Sequence, residues 1–135
     1  MRLDLYQAET ARVASEQQAV LADAREILAQ RQLNLLEQAG VLHALQVLIE
    51  NSIGKAKQLL KARNEPVPVS AYDAFATLAR IGVIDRDSLA AWNAVIGLRN
   101  RIVHEYMNID MNQVLGLVML RKESFVTEFL LMPVN

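Results

Sequence analysis

The sequence predicts an all-α protein, an antiparallel up-and-down bundle of four to five helices that dimerises. Three observations point there. Proline and glycine are scarce, three and five in 135 residues, so long stretches run without a breaker. Leu, Ala and Gln dominate, residues that lose little conformational freedom on entering a helix. Apolar residues recur at helical spacing, and nowhere do they alternate as in a strand. With 53% hydrophobic residues, a single domain over 1–135 buries a sizeable core, and the surplus suits a subunit interface.

Residues 3–31 are expected to form a long, rather polar first helix. Tyr6, Val13, Val20 and Ile27 recur every seven residues, a weakly apolar stripe suited to peripheral packing. Asn34, followed three residues later by Glu37, has the form of a capping box and opens the second helix and the core bundle, 34–132. In that helix, which extends to about Arg63, Val41, Leu45, Leu48, Ile49, Ser52, Ala56 and Leu59 fall within an arc of roughly 140° at 100° per residue. His43 projects to the opposite, polar side and is read as a surface residue. Lys55, Lys57, Lys61 and Arg63 form a basic cluster towards the helix end. It complements the negative end of the helix dipole, or else contacts an RNA backbone; the first is the more ordinary use of such residues.

Pro66 and Pro68 mark a loop. Ser70 with Asp73 caps a short third helix that ends at Gly82. Asp85 or Asp87 caps a fourth helix expected to run through Tyr106. Asp110 with Gln113 then restarts the chain, and one last helix is expected to near Met132. Short connections between successive helices give the up-and-down order.

Composition closes off several chemistries. There are no cysteines, so disulfides and cysteine-ligated metals are excluded. Two histidines are too few for a dedicated zinc site. The net charge of -1 leaves no globally basic surface, and any nucleic-acid contact must use local patches. No apolar run reaches membrane-span length and residues 1–30 are studded with charge, so no membrane association is expected and a cytoplasmic protein is the default.

The fourth helix carries the informative oddity. Trp92, Val95, Ile96, Leu98, Ile102 and Val103 share one arc, roughly 160° wide at 100° per residue, and Arg99 lies inside it. A guanidinium stays charged, so burying it unpaired costs several kcal/mol. Either a carboxylate such as Glu50 pairs with it, or that face opens onto a cleft or a second subunit. His104 stands about 140° from Arg99 on an ideal helix. The two meet in one site if the helix ends near His104, if the long arginine reaches around, or if two chains face each other. The last two together are the favoured arrangement.

At these residues Arg99-Asn100-x-x-x-His104-x-Tyr106 resembles the R-x-x-x-x-H-x-Y signature of the HepT-type toxins. These belong to the higher-eukaryotes-and-prokaryotes nucleotide-binding (HEPN) superfamily. The flanks Val95-Ile96-Gly97-Leu98 and Asn108-Ile109-Asp110 are similar too. So are Leu45-Gln46-Val47-Leu48-Ile49-Glu50, and Ala74-Phe75-Ala76-Thr77-Leu78 with Gly82-Val83-Ile84. The resemblance covers residues 40–120; the first helix, 1–33, is poorly matched. Gly54 stands where the family often has an acidic residue, and Lys55 where an apolar one is usual.

The resemblance implies a helical homodimer that cuts RNA as a metal-independent endoribonuclease needing no cofactor. This would be the toxin of a type VII HEPN/MNT toxin–antitoxin system. It implies as partner an MntA-like nucleotidyltransferase antitoxin, which silences the toxin by AMPylation of Tyr106. Arg99 and His104 are then the catalytic pair: the guanidinium binds the scissile phosphate and the imidazole transfers protons. Asn100 orients the site by hydrogen bonding, and Arg101 either contacts RNA or is merely solvated. Two other readings stay open. One is a non-catalytic nucleotide-binding or assembly module partnering a nucleotidyltransferase, with Gly54 marking a decayed site. The other is a purely structural bundle, which predicts that a carboxylate of the same subunit pairs with Arg99 away from any cleft.

Overall fold

The computed structural model describes residues 3–134. They form α1 (Leu3–Leu28), α2 (Leu35–Ala62), α3 (Ala71–Arg80), α4 (Leu89–His104), α5 (Met111–Met119) and α6 (Ser124–Leu131). Short 3-10 turns at Arg86–Ser88 and Tyr106–Asn108 bracket α4. No strand occurs among the described residues. The fold is the expected all-α bundle, with α2 at its centre, packed by α1, α3, α4 and α6.

Capping residues place most helix starts. Asn34 accepts from the Glu37 N–H at 2.8 Å, and the Glu37 carboxylate accepts from the Asn34 N–H at 2.9 Å, a complete capping box. Arg31 pairs with the same carboxylate at 2.7 Å, and the two interactions hold its pKa at about 2. Ser70 caps α3 and Asp110 caps α5. Helix ends follow a second rule. Asn64, Gly82 and Arg121 have φ of 58°, 82° and 55°, each just past a helix. In each case the next N–H turns back to a carbonyl in the last turn: Glu65 to Leu60, Val83 to Leu78, Lys122 to Leu117. This is the left-handed closure that returns orphan carbonyls to a donor.

The closure at Arg121 splits the expected last helix in two, which makes six helices among the described residues rather than four or five. Its sequence signal is weak, because the left-handed position carries arginine instead of glycine. What holds the corner is Glu123, buried and paired with Arg25 of α1 at 2.9 Å. The first helix also differs in detail. The residues it buries are Thr10, Ala14, Leu21 and Ala24, whereas Val20 of the expected stripe is exposed. Small side chains on that seam let α1 lie close against α2, a preference that a reading by hydrophobicity undervalues.

The core is aromatic where α3, α4 and α6 meet. Phe75 stacks on Trp92 at 4.2 Å between centroids, and Trp92 takes Phe125 and Phe129 edge-on at 4.9 and 5.0 Å. Such pairs add about 0.5–1.5 kcal/mol beyond burial.

Lys55 corrects the sequence reading. It is no part of an exposed basic cluster, for it is fully buried. Its ammonium donates to the backbone oxygens of Phe129 at 2.7 Å, Leu130 at 3.3 Å and Met132. These lie at the C-terminal end of α6, where carbonyls lack intrahelical donors and carry the negative end of the dipole. The lysine does serve a helix C-terminus, then, but that of another helix. The Nζ also lies 5.3 Å from the Phe129 ring centroid. Lys57 donates to the Val69 carbonyl at 2.8 Å; Lys61 and Arg63 remain exposed.

Lys55→Ala should therefore destabilise the fold by about 3 kcal/mol in urea unfolding, since it orphans carbonyls and leaves a cavity. Burial also pushes the Lys55 pKa from 10.5 down to about 8. Between those values the unfolded chain binds more protons than the folded one, so this lysine makes stability rise with pH from 8 towards 10.5. The same urea series across that range should show the rise in the natural protein and lack it in Lys55→Ala.

Candidate active site at the end of the fourth helix

The fourth helix is anchored at its start and open at its end. Asp85 accepts from the Asp87 N–H at 3.1 Å and sets the 3-10 turn that leads into it. Trp92, Val95, Ile96, Leu98 and Ile102 then bury one face. The helix stops at His104, where Glu105 leaves helical geometry with φ −133° and ψ 38°. The expected continuation through Tyr106 is thus corrected: Tyr106 lies in the following 3-10 turn. The reason is the short span to Asp110, which has to leave the helix to cap α5. On a continuous helix Tyr106 would stand about 20° from Arg99 at 100° per residue, and the break removes it from that stripe.

Arg99 sits on the buried face of α4 and is paired across to α2. Its Nη2 and Nε donate to Glu50 Oε2 at 2.8 and 3.1 Å, and its Nη1 donates to Asn100 Oδ1 at 3.1 Å. Gln46 Nε2 stands 3.5 Å from both Glu50 oxygens, at the limit of hydrogen bonding. The charge on the core-facing position is therefore compensated by a carboxylate of the same chain. Yet the pair is not sealed, since 28% of the arginine side chain and 35% of the glutamate remain exposed. A guanidinium has five N–H donors. The three bonds above leave one on each terminal nitrogen, the end that faces a ligand in a fork-type contact.

Of the predicted site residues, the structure brings Arg99 and Asn100 together and joins Glu50 and Gln46 to them. His104, Arg101 and Tyr106 lie exposed around the helix end, with no side-chain hydrogen bond or ion pair among the described residues. His43 is exposed on α2. Apolar surface accompanies the motif: Val103, Tyr106 and Met107 are 41%, 53% and 91% exposed. Among the described residues no group of three or more His, Cys, Asp or Glu gathers as a metal site.

Two tyrosines near the site have no place in it by sequence: Tyr72 is not singled out there, and Tyr6 figures only in the first helix's apolar stripe. The Tyr72 hydroxyl of α3 lies 3.7 Å from where a Cβ on Gly97 would stand, and the Tyr6 hydroxyl of α1 lies 3.5 Å from that of Gly54. Burial raises the Tyr6 pKa, opposed by a hydrogen bond with Thr10. The signal was present in the glycines. A glycine inside a helix costs about 1 kcal/mol against alanine, and close approach of a neighbour is one thing it permits. Gly54 is one turn beyond Glu50, so a tyrosine edge from α1 borders the carboxylate's helix where the sequence has no side chain of its own.

A family model described as ribonuclease HepT-like matches residues 15–123. No curated protein matches the sequence. Two solved structures share the fold. One, described as a toxin–antitoxin with AMP-PNP, has a TM-score of 0.73 at 22% identity, over 96% of this chain and 99% of that one. The other is the tri-AMPylated Shewanella oneidensis HEPN toxin in complex with MNT antitoxin. It has a TM-score of 0.72 at 23% identity, over 96% of this chain and 97% of that one.

The exposure of the ion pair sets its expected worth. Glu50→Ala should destabilise the chain by about 1–2 kcal/mol in urea unfolding, less than a sealed pair would lose because solvent screens the orphaned guanidinium. A double-mutant cycle with Arg99→Ala should return a coupling of roughly 0.5–1.5 kcal/mol; no coupling would mean the two groups do not pair.

Proposed function

The chain belongs to the HepT-like ribonuclease family, and from that membership we propose that it is a toxin that cuts RNA without a metal ion. Its partner is an MntA-like nucleotidyltransferase antitoxin that silences it. The single observation carrying the reading is the half-open Arg99, held by Glu50 and Asn100 with donors to spare, five residues before an unengaged His104 at a helix end.

Metal-free cleavage requires a base, an acid and a cation at the phosphate. His104 of one protomer takes the proton of the ribose 2′-hydroxyl. The oxygen attacks the adjacent phosphorus, and the negative charge that builds up there is met by Arg99. Protonated His104 of the partner protomer gives its proton to the departing 5′-oxygen. A 2′,3′-cyclic phosphate and a 5′-hydroxyl result. Each chain has one such histidine, so a two-fold homodimer supplies the pair. Exposed Val103 and Met107 offer apolar surface at the motif for that contact and leave the Tyr106 phenol uncovered. Arg101 contributes a further positive charge to the RNA path.

Silencing follows from Tyr106. Its phenol is accessible at 53% exposure. The phenolic oxygen attacks the α-phosphorus of ATP in the antitoxin's site, pyrophosphate leaves, and the tyrosine carries AMP. That adds negative charge and bulk two residues from His104, where the substrate's own phosphate has to lie. The tri-AMPylated state of the Shewanella toxin supports modification of this kind.

The pairing of Arg99 with Glu50 within one chain is what a purely structural bundle predicts, except that the pair stays about a third open; the second reading, a non-catalytic nucleotide-binding or assembly module, rests on Gly54. Expression without the antitoxin separates the two: the toxin arrests growth and the module does not. His104→Ala and Arg99→Ala should each cut RNA cleavage by about 10²–10⁴-fold and abolish growth arrest while the circular dichroism spectrum stays helical. Tyr106→Phe should remain toxic when the nucleotidyltransferase is co-expressed, because the acceptor oxygen is gone. Wild-type cleavage rates in His104→Ala would end the ribonuclease reading.

A further inference from the structure

A second binding feature lies on the other side of α4. Helix α5 leans on α1, and between it and α4 a cavity of about 180 Å³ opens to the surface. Its floor is apolar: Leu98 and Val114 are buried there, with Leu117 beside them. Its mouth is polar, formed by Arg101, Asp110 and Gln113, all exposed. A cavity of roughly 150 Å³ accepts one benzene ring, so this slot seats at least one aromatic ring and leaves the remainder of a larger base at its open mouth.

The mouth carries unspent hydrogen-bonding capacity. Asp110 Oδ1 caps α5 by accepting from the Asn112 and Gln113 N–H groups at 3.0 and 3.4 Å. Its Oδ2 and the Arg101 guanidinium have no partner among the described residues. Arg101 and His104 are three apart on one helix, which places their Cβ atoms about 5–6 Å from each other. His104 does not line the slot, but it stands one helical turn beyond Arg101 at the mouth, so a nucleotide whose base enters the slot has its sugar and phosphate on the side of the imidazole to which the phosphodiester chemistry was assigned.

A nucleobase meets each of these features. Its faces are apolar enough for Leu98 and Val114, its edge is polar, and its phosphate hangs within reach of a guanidinium. Single-stranded RNA presents bases in this unstacked form. The free carboxylate oxygen selects among them, since it accepts from an exocyclic amino group, as carboxylates do from cytosine N4. Uracil has no amino group and turns a carbonyl to the same place. We propose that the slot between α4 and α5 is a base-recognition subsite that takes one unstacked, amino-bearing nucleobase of the RNA next to the scissile phosphate. The proposal rests on the ribonuclease reading, and it adds the determinant of where that ribonuclease cuts.

The test is read without turnover. The full-length protein is titrated with AMP, CMP, GMP and UMP and followed by ¹H–¹⁵N NMR. The expected result is a saturable shift of the Leu98 and Val114 amides and the Gln113 side-chain amide with at least one amino-bearing nucleotide, and at least tenfold weaker binding of UMP. Ala94→Phe, which fills the slot from its exposed edge, should remove the response; Leu117→Trp serves the same purpose if that variant fails to fold. Sequencing of the 5′-hydroxyl ends of cleaved RNA should show a base preference beside the cut that the filled-slot protein loses. Absence of shifts at these residues with all four nucleotides, or unchanged binding in the filled-slot protein, overturns the subsite. Cleavage that survives His104→Ala overturns the catalytic reading alone, because the titration does not depend on it.

Discussion

An unavoidable charge at a core-facing position organises this molecule. Arg99 falls among Trp92, Val95, Ile96 and Ile102 on the stripe by which α4 joins the bundle, and a guanidinium cannot shed its proton to escape the cost. The chain answers with Glu50 from α2, the central helix against which α1, α3, α4 and α6 pack. That answer fixes more than stability. It sets the rotation of α4 about its own axis, since only one orientation brings the guanidinium to the carboxylate, and everything downstream on α4 is aimed by that rotation. The pair leaves about a third of each side chain open, so its stabilising worth is modest. Its larger consequence is to orient an arginine that still has donors to give.

The same economy of buried polar groups holds the rest of the bundle. Lys55 supplies donors to the end of α6, and Gln7 of α1 adds another to the Leu130 oxygen at 3.0 Å. Arg25 and Glu123 tie α1 to the corner between α5 and α6. Each is a buried polar contact between elements far apart in sequence, and each is directional where hydrophobic packing is not. Helices α1 and α6 carry little aromatic surface of their own against each other, so these contacts fix their register. The site inherits that order, because α6 supports Trp92 through Phe125 and Phe129 and thereby seats the first half of α4.

Local rules were legible in the sequence, and contacts between distant residues were not. Asn34 with Glu37, Ser70 with Asp73, and Asp110 with Gln113 announced helix starts because a cap is decided within four residues. Gly82 announced an end for the same reason. Arg121 did not, since a left-handed arginine is held there by Glu123 and Arg25, a contact between residues 98 apart. Lys55 read as an exposed cation because four basic residues share one stretch, and only the position of α6 reveals that one of them points inward. The Arg99–Glu50 pair stood between these cases. The need for a partner was evident from the wheel, and Glu50 was a candidate, but that about a third of each side chain stays open is set by how the helices pack around the pair, which no single helix shows.

The end of α4 is where these constraints meet the chemistry. Had the helix continued to Tyr106, that ring would have packed on the core side with Arg99, buried and out of reach of any enzyme. Because Asp110 has to begin α5, the chain breaks at Glu105 and turns Tyr106 outward, while His104 keeps the last helical position. Three directions then radiate from one helix end. Arg99 points towards α2 with its spare donors, Arg101 towards the slot beside α5, and His104 between them, about 60° from Arg101 at 100° per residue. On the proposed function a phosphate is met at the arginine, a ribose at the imidazole and a base in the slot, and a single short helix carries a residue for each. The break turns the tyrosine out beside an imidazole that already faces away from the core, so on the proposed function the group that works on RNA and the group that takes the silencing modification stand two residues apart.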